Sequence, residues 1–512
     1  MAVTKKLVED LEGIVGSKYV MDQDFAQYAY GAAGIFFMNT MMEVSDRSAP
    51  PEVIVKPRTT EEVSEIMKLA NETKTPVTIR GGGEGYWIGG SKDRGIMIDM
   101  TDMKKFIEYD EVSRTARAQA GITWGTLNEE LEKYGVGTGN YGTHGLLGAC
   151  VAGSLNADSP GPGGGKYGMP GENVTNLEVV LPTGEIVRTG SLLNEESKFN
   201  FRYCNGPDLA GMFIGSGGIY GIMTEVWLKT RPLYEHSETV GYSYPDFDTA
   251  VHAVNEIQSD GYLTEYAVVP PAGIVEDLLG AMFGKGRPLT LVVTESHSET
   301  IEEAQKAEID KIAKKYDGRL VGLGGLLDAL GFGLYDRHEF LGGNMLGLLG
   351  PNATAAVTCS IQPLLTAPEV MEAEFAVCRK YEDSYAYSRL LGGKVWLGAL
   401  IAAGELGAAY APTVFSFDPS NDESRKTAYR VVHELLEVKW RTGYATQFSN
   451  TREWETPHVV RRYDPQSLEL MKKIKETLDP NNILNRDFVI PTSPYEKVDK
   501  IIAEMESEEV KK

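Results

Sequence analysis

The sequence contains few cysteines, and this scarcity limits the metal chemistry open to the chain. Only 4 of the 512 residues are cysteine: Cys150, Cys204, Cys359 and Cys378. None of them forms a C-x-x-C pair, so their spacing indicates neither an iron–sulfur cluster nor a structural zinc site. We expect reduced, mostly buried thiols of the kind found in cytoplasmic proteins, and we predict no metal site.

Positive charge is also scarce. The chain carries 50 Lys and Arg residues against 73 Asp and Glu residues, which gives a formal net charge of -23. Nucleic acids and anionic membrane surfaces repel such a chain, so neither is expected to be its main partner.

Long uninterrupted apolar runs are missing as well. The two most apolar stretches, residues 320–350 and 390–417, are broken by charged residues that include Asp328 and Glu405. Their glycines would also make them poor membrane-spanning helices. The opening residues, MAVTKKLVEDLEG, show neither the apolar core of an export signal nor a twin arginine. We therefore expect no transmembrane segment and a cytoplasmic location.

The length of the chain and the order of its patterns favour more than one domain, of the α+β class. A chain of 512 residues is too long for one ordinary core. Short strand patterns alternate with helical patterns along it. One example is residues 59–62, TTEE, which form a capping box before apolar residues at helical spacing.

The most informative stretch is residues 77–90, VTIRGGGEGYWIGG. Its β-branched start predicts a short buried strand. The strand leads into a loop in which four of six residues lack a Cβ, so several backbone N–H groups can point into one concavity that suits a phosphate or pyrophosphate. A plain surface turn is the alternative for this loop taken alone. The loop consists of Arg80, Gly81, Gly82, Gly83, Glu84 and Gly85.

Two further glycine-rich stretches follow, residues 140–168 and residues 209–229. Neither is a P-loop, because Gly165-Lys166 is followed by tyrosine and Pro160 stands where the first glycine is required. Neither lies between a strand and a helix in the way that the G-x-G-x-x-G dinucleotide fingerprint requires. Three glycine-rich turns set between strands still indicate a long ligand, and a dinucleotide has a suitable size.

Several motifs in order resemble the vanillyl-alcohol oxidase and p-cresol methylhydroxylase superfamily of flavoproteins. The resemblance covers about residues 50–490 and implies FAD as cofactor. It also implies an α+β fold, with a PCMH-type FAD-binding domain of two α+β subdomains plus a cap domain whose antiparallel sheet is flanked by helices. The motifs are P-x-x-V with TTEEV, RGGG, LGACVAGSLNA, KYGMPGENVTNLEVVLPTGEIVRTG, IGSGGIYGIMTEVWLK and LDPNNILN.

The resemblance divides the chain into four regions. Residues 1–49 would be a lead-in, 50–234 the FAD-binding domain, 235–450 the cap with the substrate pocket, and 451–512 a segment that returns to the FAD domain. Within residues 451–512, a single helix face is predicted to carry Leu468, Met471, Ile474 and Leu478.

The same resemblance assigns residues to the cofactor. The pyrophosphate would lie on residues 80–85, and Asn485 would close the site. Leu147, Ile219 and Ile222 would sandwich the flat rings. The residues expected to line the adenine, ribitol and ring are Gly142, Thr143, His144, Leu147, Gly148, Ala149, Ala152, Gly153, Ile219, Gly221 and Ile222.

The mode of FAD attachment stays open. Many members of the superfamily tether FAD through a histidine in the loop, where this sequence has Glu84-Gly85, and this difference favours non-covalent FAD. Other members use a cysteine after a Gly-Thr pair, where this sequence has His144. A cap histidine or tyrosine can also serve, and a structural role is the alternative for His144.

The substrate class is indicated mainly by motifs that are missing. The 2-hydroxy-acid branch carries a metal-binding H-x-H-x-N and a later E-H-G, where this sequence reads APTVFSF at 411–417 and TQF at 446–448. The phrase NGPDLAGMF at 205–213 leans toward the vanillyl-alcohol and p-cresol branch. That branch's Tyr-Arg phenolate clamp has no clear match, because residues 461–463 read Arg-Arg-Tyr. The apolar cap stretches suit a bulky or hydrophobic substrate, or they are core.

We therefore predict an FAD-dependent oxidoreductase that oxidises an alcohol or alkylphenol by hydride transfer to flavin N5. The alternatives are a 2-hydroxy-acid dehydrogenase, a flavin-binding subunit of a larger electron-transfer complex, and a non-redox former of covalent adducts. The electrons would pass to O2, an electron-transferring flavoprotein, a cytochrome or an iron–sulfur subunit. A homodimer is also considered.

The candidate catalytic residues lie in the predicted cap and after it. Asp336-Arg337-His338 places polar groups between apolar runs, and such groups are costly to bury unless they pair or act. A solvated loop is the alternative interpretation. The candidates are Tyr335, Arg337, His338 and His458.

Overall fold

The structure is a computed structural model in which helices alternate with strands of three main sheets, as the predicted α+β class requires. It describes residues 3–31, 50–83, 94–140, 148–262, 265–273, 276, 285–322, 354–388, 393–404, 407–418, 421–443, 446–447, 460, 462–486, 488–490, 500, 503 and 507. The helices in these ranges are α1 (Lys5–Val15), α2 (Asp24–Gly31), α3 (Thr60–Thr73), α4 (Trp124–Glu132), α5 (Val151–Ala157), α6 (Gly164–Tyr167), α7 (Leu209–Phe213), α8 (Phe247–Ser259), α9 (Glu299–Lys315), α10 (Ala367–Lys380), α11 (Asp422–Thr442) and α12 (Pro465–Leu478).

The first sheet is small and mostly parallel. Its order is β1-β2-β4-β3, with β2, β4 and β3 parallel and β1 antiparallel to β2. Helix α3 packs its apolar face against this sheet, and its N-cap Thr59 accepts a hydrogen bond from the Glu62 backbone, as the TTEE pattern predicts. The strands are β1 (Val20–Met21), β2 (Val53–Val55), β3 (Val77–Arg80) and β4 (Ile96–Asp99).

The second sheet is antiparallel and has the order β5-β6-β10-β8-β9. Helices α4, α5 and α7 contribute side chains to its core. The strands are β5 (Phe106–Asp110), β6 (Thr115–Gln119), β8 (Val174–Val180), β9 (Ile186–Arg188) and β10 (Ile222–Lys229), and a separate pair is formed by β7 (Val136–Gly137) and β11 (Arg231–Pro232).

The third sheet contains nine of the described strands, and its pairings are antiparallel. Helices α8 to α11 share its main core. Its strands are β12 (His236–Ser243), β13 (Glu265–Val269), β14 (Leu289–Ser296), β15 (Arg319–Val321), β16 (Thr354–Pro363), β19 (Trp396–Gly398), β20 (Leu400–Ala402), β21 (Ala408–Phe417) and β22 (Thr446–Gln447), and a separate pair is formed by β17 (Tyr387–Ser388) and β18 (Gly393–Lys394).

Side-chain contacts tell the two faces of the third sheet apart. Thr294 on β14 donates a hydrogen bond to Glu302 on α9, so its face is the one that the helices cover. Successive residues of a strand point to opposite faces, so Glu295 belongs to the other face. Glu265 shares this second face, because it lies opposite Val293, two residues before Glu295.

The chain beyond residue 462 returns to the first two sheets. On α12, Leu468, Met471, Ile474 and Leu478 pack against the core of the second sheet, as predicted. Leu484 then makes a parallel bridge to Val77 in the first sheet. The proposed domain boundaries stay a prediction. Within the described ranges, no helix combines the length and apolar character needed to cross a bilayer.

Candidate functional site

Asn485 joins two of the glycine-rich stretches. Its side-chain amide donates to the Gly217 carbonyl at 2.9 Å and accepts from the Ile79 backbone N–H at 3.1 Å. The Gly217 N–H in turn donates to the carbonyl of Asn156 on α5, also at 2.9 Å. Strand β3, helix α5 and the turn before β10 therefore meet at one place, where the RGGG loop begins.

Three glycines make this close approach possible. Gly83 and Gly218 have φ angles of +74° and +71°, which residues other than glycine rarely adopt. A Cβ on Gly83 would overlap the Arg80 guanidinium, and one on Gly218 would lie 2.9 Å from the Asn485 amide nitrogen. A Cβ on Gly81 would lie 3.1 Å from that of Cys150. At each of these three positions an added side chain would meet a neighbouring group of the protein.

Helix α2 contributes to the position of Arg80, which the sequence reasoning missed. The guanidinium carbon of Arg80 lies 5.4 Å from the centroid of the Tyr30 ring. The Tyr30 hydroxyl donates to Asp99 at 2.5 Å, and Asp99 also pairs with Lys56 at 3.6 Å. Burial and the Asp99 carboxylate raise the pKa of Tyr30, so its hydroxyl stays a donor at neutral pH.

A buried ion pair shapes the closing motif. Lys475 Nζ lies 2.6 Å from Asp479 and donates to the carbonyls of Ile219 and Leu484 at 2.9 and 2.7 Å. Asp479 also accepts the backbone N–H groups of Ile483 and Leu484. The pair connects α12 to the turn before β10 and holds the chain in the path that brings Asn485 to Ile79.

Apart from Asn485, the predicted cofactor residues that the structure describes fall into three groups. Gly82, Gly148 and Gly153 are exposed, and Arg80, Gly81 and Gly83 are half-buried, so these six surround accessible space. Ala149 and Ala152 are buried at the start of α5. Six others lie outside the described residues: Glu84, Gly85, Gly142, Thr143, His144 and Leu147.

The third group, Ile219, Gly221 and Ile222, lies in the protein interior. The side chains of Ile219 and Ile222 are only 2% and 1% exposed and pack in two hydrophobic cores. A Cβ on Gly221 would approach Val179. These side chains therefore pack inside the protein cores. Their assignment to the cofactor stays a prediction.

The catalytic candidates Tyr335, Arg337, His338 and His458 all lie outside the described residues, and their roles stay predictions. Among the residues that the structure describes, no group of three or more His, Cys, Asp or Glu side chains is arranged to hold a metal ion.

The face of the third sheet that carries Glu265 is directed at the glycine-rich region, because Glu265 accepts the Gly163 backbone N–H at 2.6 Å. Ala267, two residues further on, pairs with Ile401, which pairs with Tyr410. Cross-strand partners share a face, so this face continues as an apolar surface to Tyr410.

Tyr410 contributes a polar group to that apolar surface. Its hydroxyl lies 2.6 Å from Cys359 Sγ, and both residues are buried. Neither residue stood out in the sequence, because a tyrosine and a cysteine 51 positions apart give no local signal.

FAD fits the arrangement around residues 80–83. A pyrophosphate needs several backbone N–H donors in a concavity and a compensating positive charge. Gly81 and Gly83 allow the close approach of this loop, Gly82 between them is exposed, and Arg80 supplies a positive charge at its start.

Solved structures with the same fold extend over nearly the whole chain. p-Cresol methylhydroxylase with substrate bound superposes with a TM-score of 0.77 at 18% identity, covering 95% of this chain and 97% of that one. 4-Ethylphenol oxidase from Gulosibacter chungangensis gives a TM-score of 0.71 at 16% identity, covering 94% and 96%. These likenesses confirm the predicted fold of the vanillyl-alcohol oxidase and p-cresol methylhydroxylase type.

Sequence relatives extend over nearly the whole chain, and two family models name the cofactor. The mitochondrial D-lactate dehydrogenase [cytochrome] of Arabidopsis thaliana is 27% identical over 497 residues, which is 96% of this chain and 81% of that protein. The glycolate oxidase subunit GlcD of Bacillus subtilis is 25% identical over 495 residues, 94% and 96% of the two chains. Residues 51–190 match the FAD binding domain, and residues 233–489 match the C-terminal domain of FAD linked oxidases. The chain belongs to the family of FAD-linked oxidases and is an FAD-dependent oxidoreductase.

Proposed function

We propose that the protein oxidises a bulky or apolar organic substrate that bears a hydroxyl group, of the alcohol or alkylphenol type. The observation that carries this proposal is the face of the third sheet opposite its helices. Ala267 and Ile401, which are 3% and 7% exposed, and the half-buried Ile361 give it an apolar lining. Around Tyr410 the polar groups of this lining are its buried hydroxyl and the Cys359 thiol, and such a lining suits a substrate that has a hydrophobic body and one reactive hydroxyl.

In this proposal Arg80 and the backbone N–H groups of Gly81, Gly82 and Gly83 hold the FAD pyrophosphate, with Asn485 closing the site. When bound, FAD supplies the two-electron acceptor for the oxidation. The protein's own contribution is to orient the substrate, exclude water and receive the hydroxyl proton.

Tyr410 is our candidate for the group that orients the substrate hydroxyl. It lies on the face directed at the glycine-rich region, and its hydroxyl already contacts Cys359. Removing the hydroxyl in Tyr410→Phe is expected to lower kcat by about 10- to 100-fold, in the range of a lost polar contact to a reacting group. FAD content and thermal stability should change little. Unchanged kinetics would exclude this role.

A 2-hydroxy acid is the second candidate substrate. It is favoured by the relatives named D-lactate dehydrogenase and glycolate oxidase subunit. Against it stands the stretch 411–417, which is buried along β21 and offers no histidine. The cytoplasmic location, the homodimer and an electron-accepting carrier protein also belong to the proposal.

The test is a visible spectrum followed by anaerobic titration. The purified protein should be yellow, and acid precipitation should leave the colour in the supernatant, since non-covalent FAD is expected. Under argon, alkylphenols or apolar alcohols should bleach the flavin. Bleaching by D-lactate or glycolate alone would favour the second candidate, and no bleaching by any of them would contradict both.

A further inference from the structure

Glu265 connects the third sheet to the second glycine-rich stretch. Its side chain is fully enclosed, with a residue exposure of 1%. One carboxyl oxygen accepts the Gly163 N–H at 2.6 Å, and the other accepts the N–H groups of Tyr266 and Ala402 at 3.0 and 3.2 Å. The start of α6 thus binds the carboxyl group of Glu265 from the protein's own sheet.

Glu295 makes a second connection to the same short segment. It lies on β14, on the same face as Glu265, and is 8% exposed. The Tyr167 hydroxyl donates to it, and Lys166 Nζ lies 3.4 Å away from the same oxygen. Lys166 also lies 4.3 Å from the ring centroid of Tyr234. Two acids from neighbouring strands therefore hold residues 163–167.

Glycine is required where this segment meets the sheet. Gly163 has a φ of +87°, and a Cβ on it would overlap the Gly139 carbonyl. A Cβ on Gly164 would lie 2.9 Å from the Ala402 carbonyl oxygen. The run GGGK, which resembles part of a phosphate-binding loop, instead allows the segment to approach the third sheet closely.

The segment is linked to the RGGG loop by a short path. It follows α5 by six residues. Cys150 is the N-cap of α5, and its Cβ would lie 3.1 Å from a Cβ placed on Gly81. Asn156 on α5 accepts the Gly217 N–H. Helix α5 therefore lies between residues 163–167 and the RGGG loop, and we expect a shift of the segment to reach the loop through it.

We propose that Glu265 and Glu295 are positioning residues. By binding residues 163–167, they fix the substrate-facing side of the third sheet relative to the proposed FAD loop. The inference rests on the proposed function in one respect, namely that this face of the sheet receives the substrate. The contacts of Glu265 and Glu295 with residues 163–167 do not depend on which substrate binds.

The test compares Glu265→Gln and Glu295→Gln with Glu238→Gln. Glu238 is the control on the same sheet, because it pairs with Lys306 and makes no contact with residues 163–167, although its side chain is 44% exposed. On the FAD-loaded protein, hydrogen exchange of residues 161–168 and the visible circular dichroism of the flavin are measured. We expect at least tenfold faster exchange and an altered flavin spectrum in the first two variants only.

A variant in residues 163–167 tests the same contact without altering either glutamate, in case the glutamate variants fail to fold. Gly164→Ala places a methyl group against the Ala402 carbonyl and should reproduce both effects, whereas Gly13→Ala, with no atom within 4 Å, should not. Wild-type exchange and flavin spectrum in Glu265→Gln, Glu295→Gln and Gly164→Ala would overturn the inference. Failure of the substrate titration alone would leave it intact, because neither readout needs substrate.

Discussion

Single residues decide whether the cofactor loop can form, and Gly83 is the sharpest case. Its φ of +74° already disfavours a side chain, and the space where a Cβ would sit is taken by the Arg80 guanidinium. Gly83→Ala should therefore displace Arg80 and lower FAD affinity by at least tenfold, measured as FAD retained after gel filtration and by titration of the apoprotein.

Gly135 provides the control for Gly83. It has a φ of +70°, but a Cβ added to it would meet no atom within 4 Å, so Gly135→Ala carries the same backbone strain of about 1 kcal/mol without disturbing the loop. It should bind FAD like the wild type. Equal FAD loss in both variants would mean that backbone strain alone, and not the position of Arg80, controls binding.

At the scale of elements, the docking of α12 depends on the buried pair of Lys475 and Asp479, whose side chains are 6% and 1% exposed. Lys475→Met would leave the buried Asp479 without its counter-ion. We expect the free energy of unfolding to fall by about 3–5 kcal/mol, measured by urea denaturation.

Lys473 on the same helix gives the comparison. It lies 3.8 Å from Glu469, and both side chains are more than half exposed. Lys473→Met should therefore change the free energy of unfolding by less than about 1 kcal/mol. If the two lysine variants were equally stable, the buried pair would not be what holds α12 in place.

At the scale of the whole molecule, the junction between the third sheet and the glycine-rich segment should make stability depend on pH. Burial raises the pKa of Glu265 to about 8 from 4.5, although backbone N–H donors from Tyr266, Gly163 and Ala402 oppose the shift. The other ionisable groups nearby are the Tyr266 hydroxyl, Lys166 and Glu295.

The sign of this dependence follows from proton binding. Between pH 4.5 and about 8 the folded chain holds the Glu265 proton more tightly than the unfolded chain does. The free energy of unfolding should therefore fall as the pH rises through this range, by up to about 1.4 kcal/mol per pH unit for one proton. Glu265→Gln should remove this slope. Parallel pH profiles of wild type and variant, from urea denaturation at about pH 5 to 9, would contradict the assignment.

Local sequence patterns predicted much of the fold and some of the site. The glycine run at residues 81–83 predicted a tight concave loop, because only residues without a Cβ tolerate that geometry. Apolar spacing predicted the buried face of α12. Burial is harder to anticipate: Ile219 was assigned to a ring contact, its side chain packs in a core with 2% exposure, and its role stays a prediction.

By itself, the sequence determined the α+β class, the glycine-rich RGGG loop and the closing motif, since each depends on residues that are near neighbours in the chain. Tertiary structure alone decided what those pieces contact. Asn485 bonds to Ile79 across 406 positions, and Glu265 to Gly163 across 102. No local pattern encodes such partners, because a buried amide or carboxylate can be satisfied by any donor that the fold brings within hydrogen-bond distance.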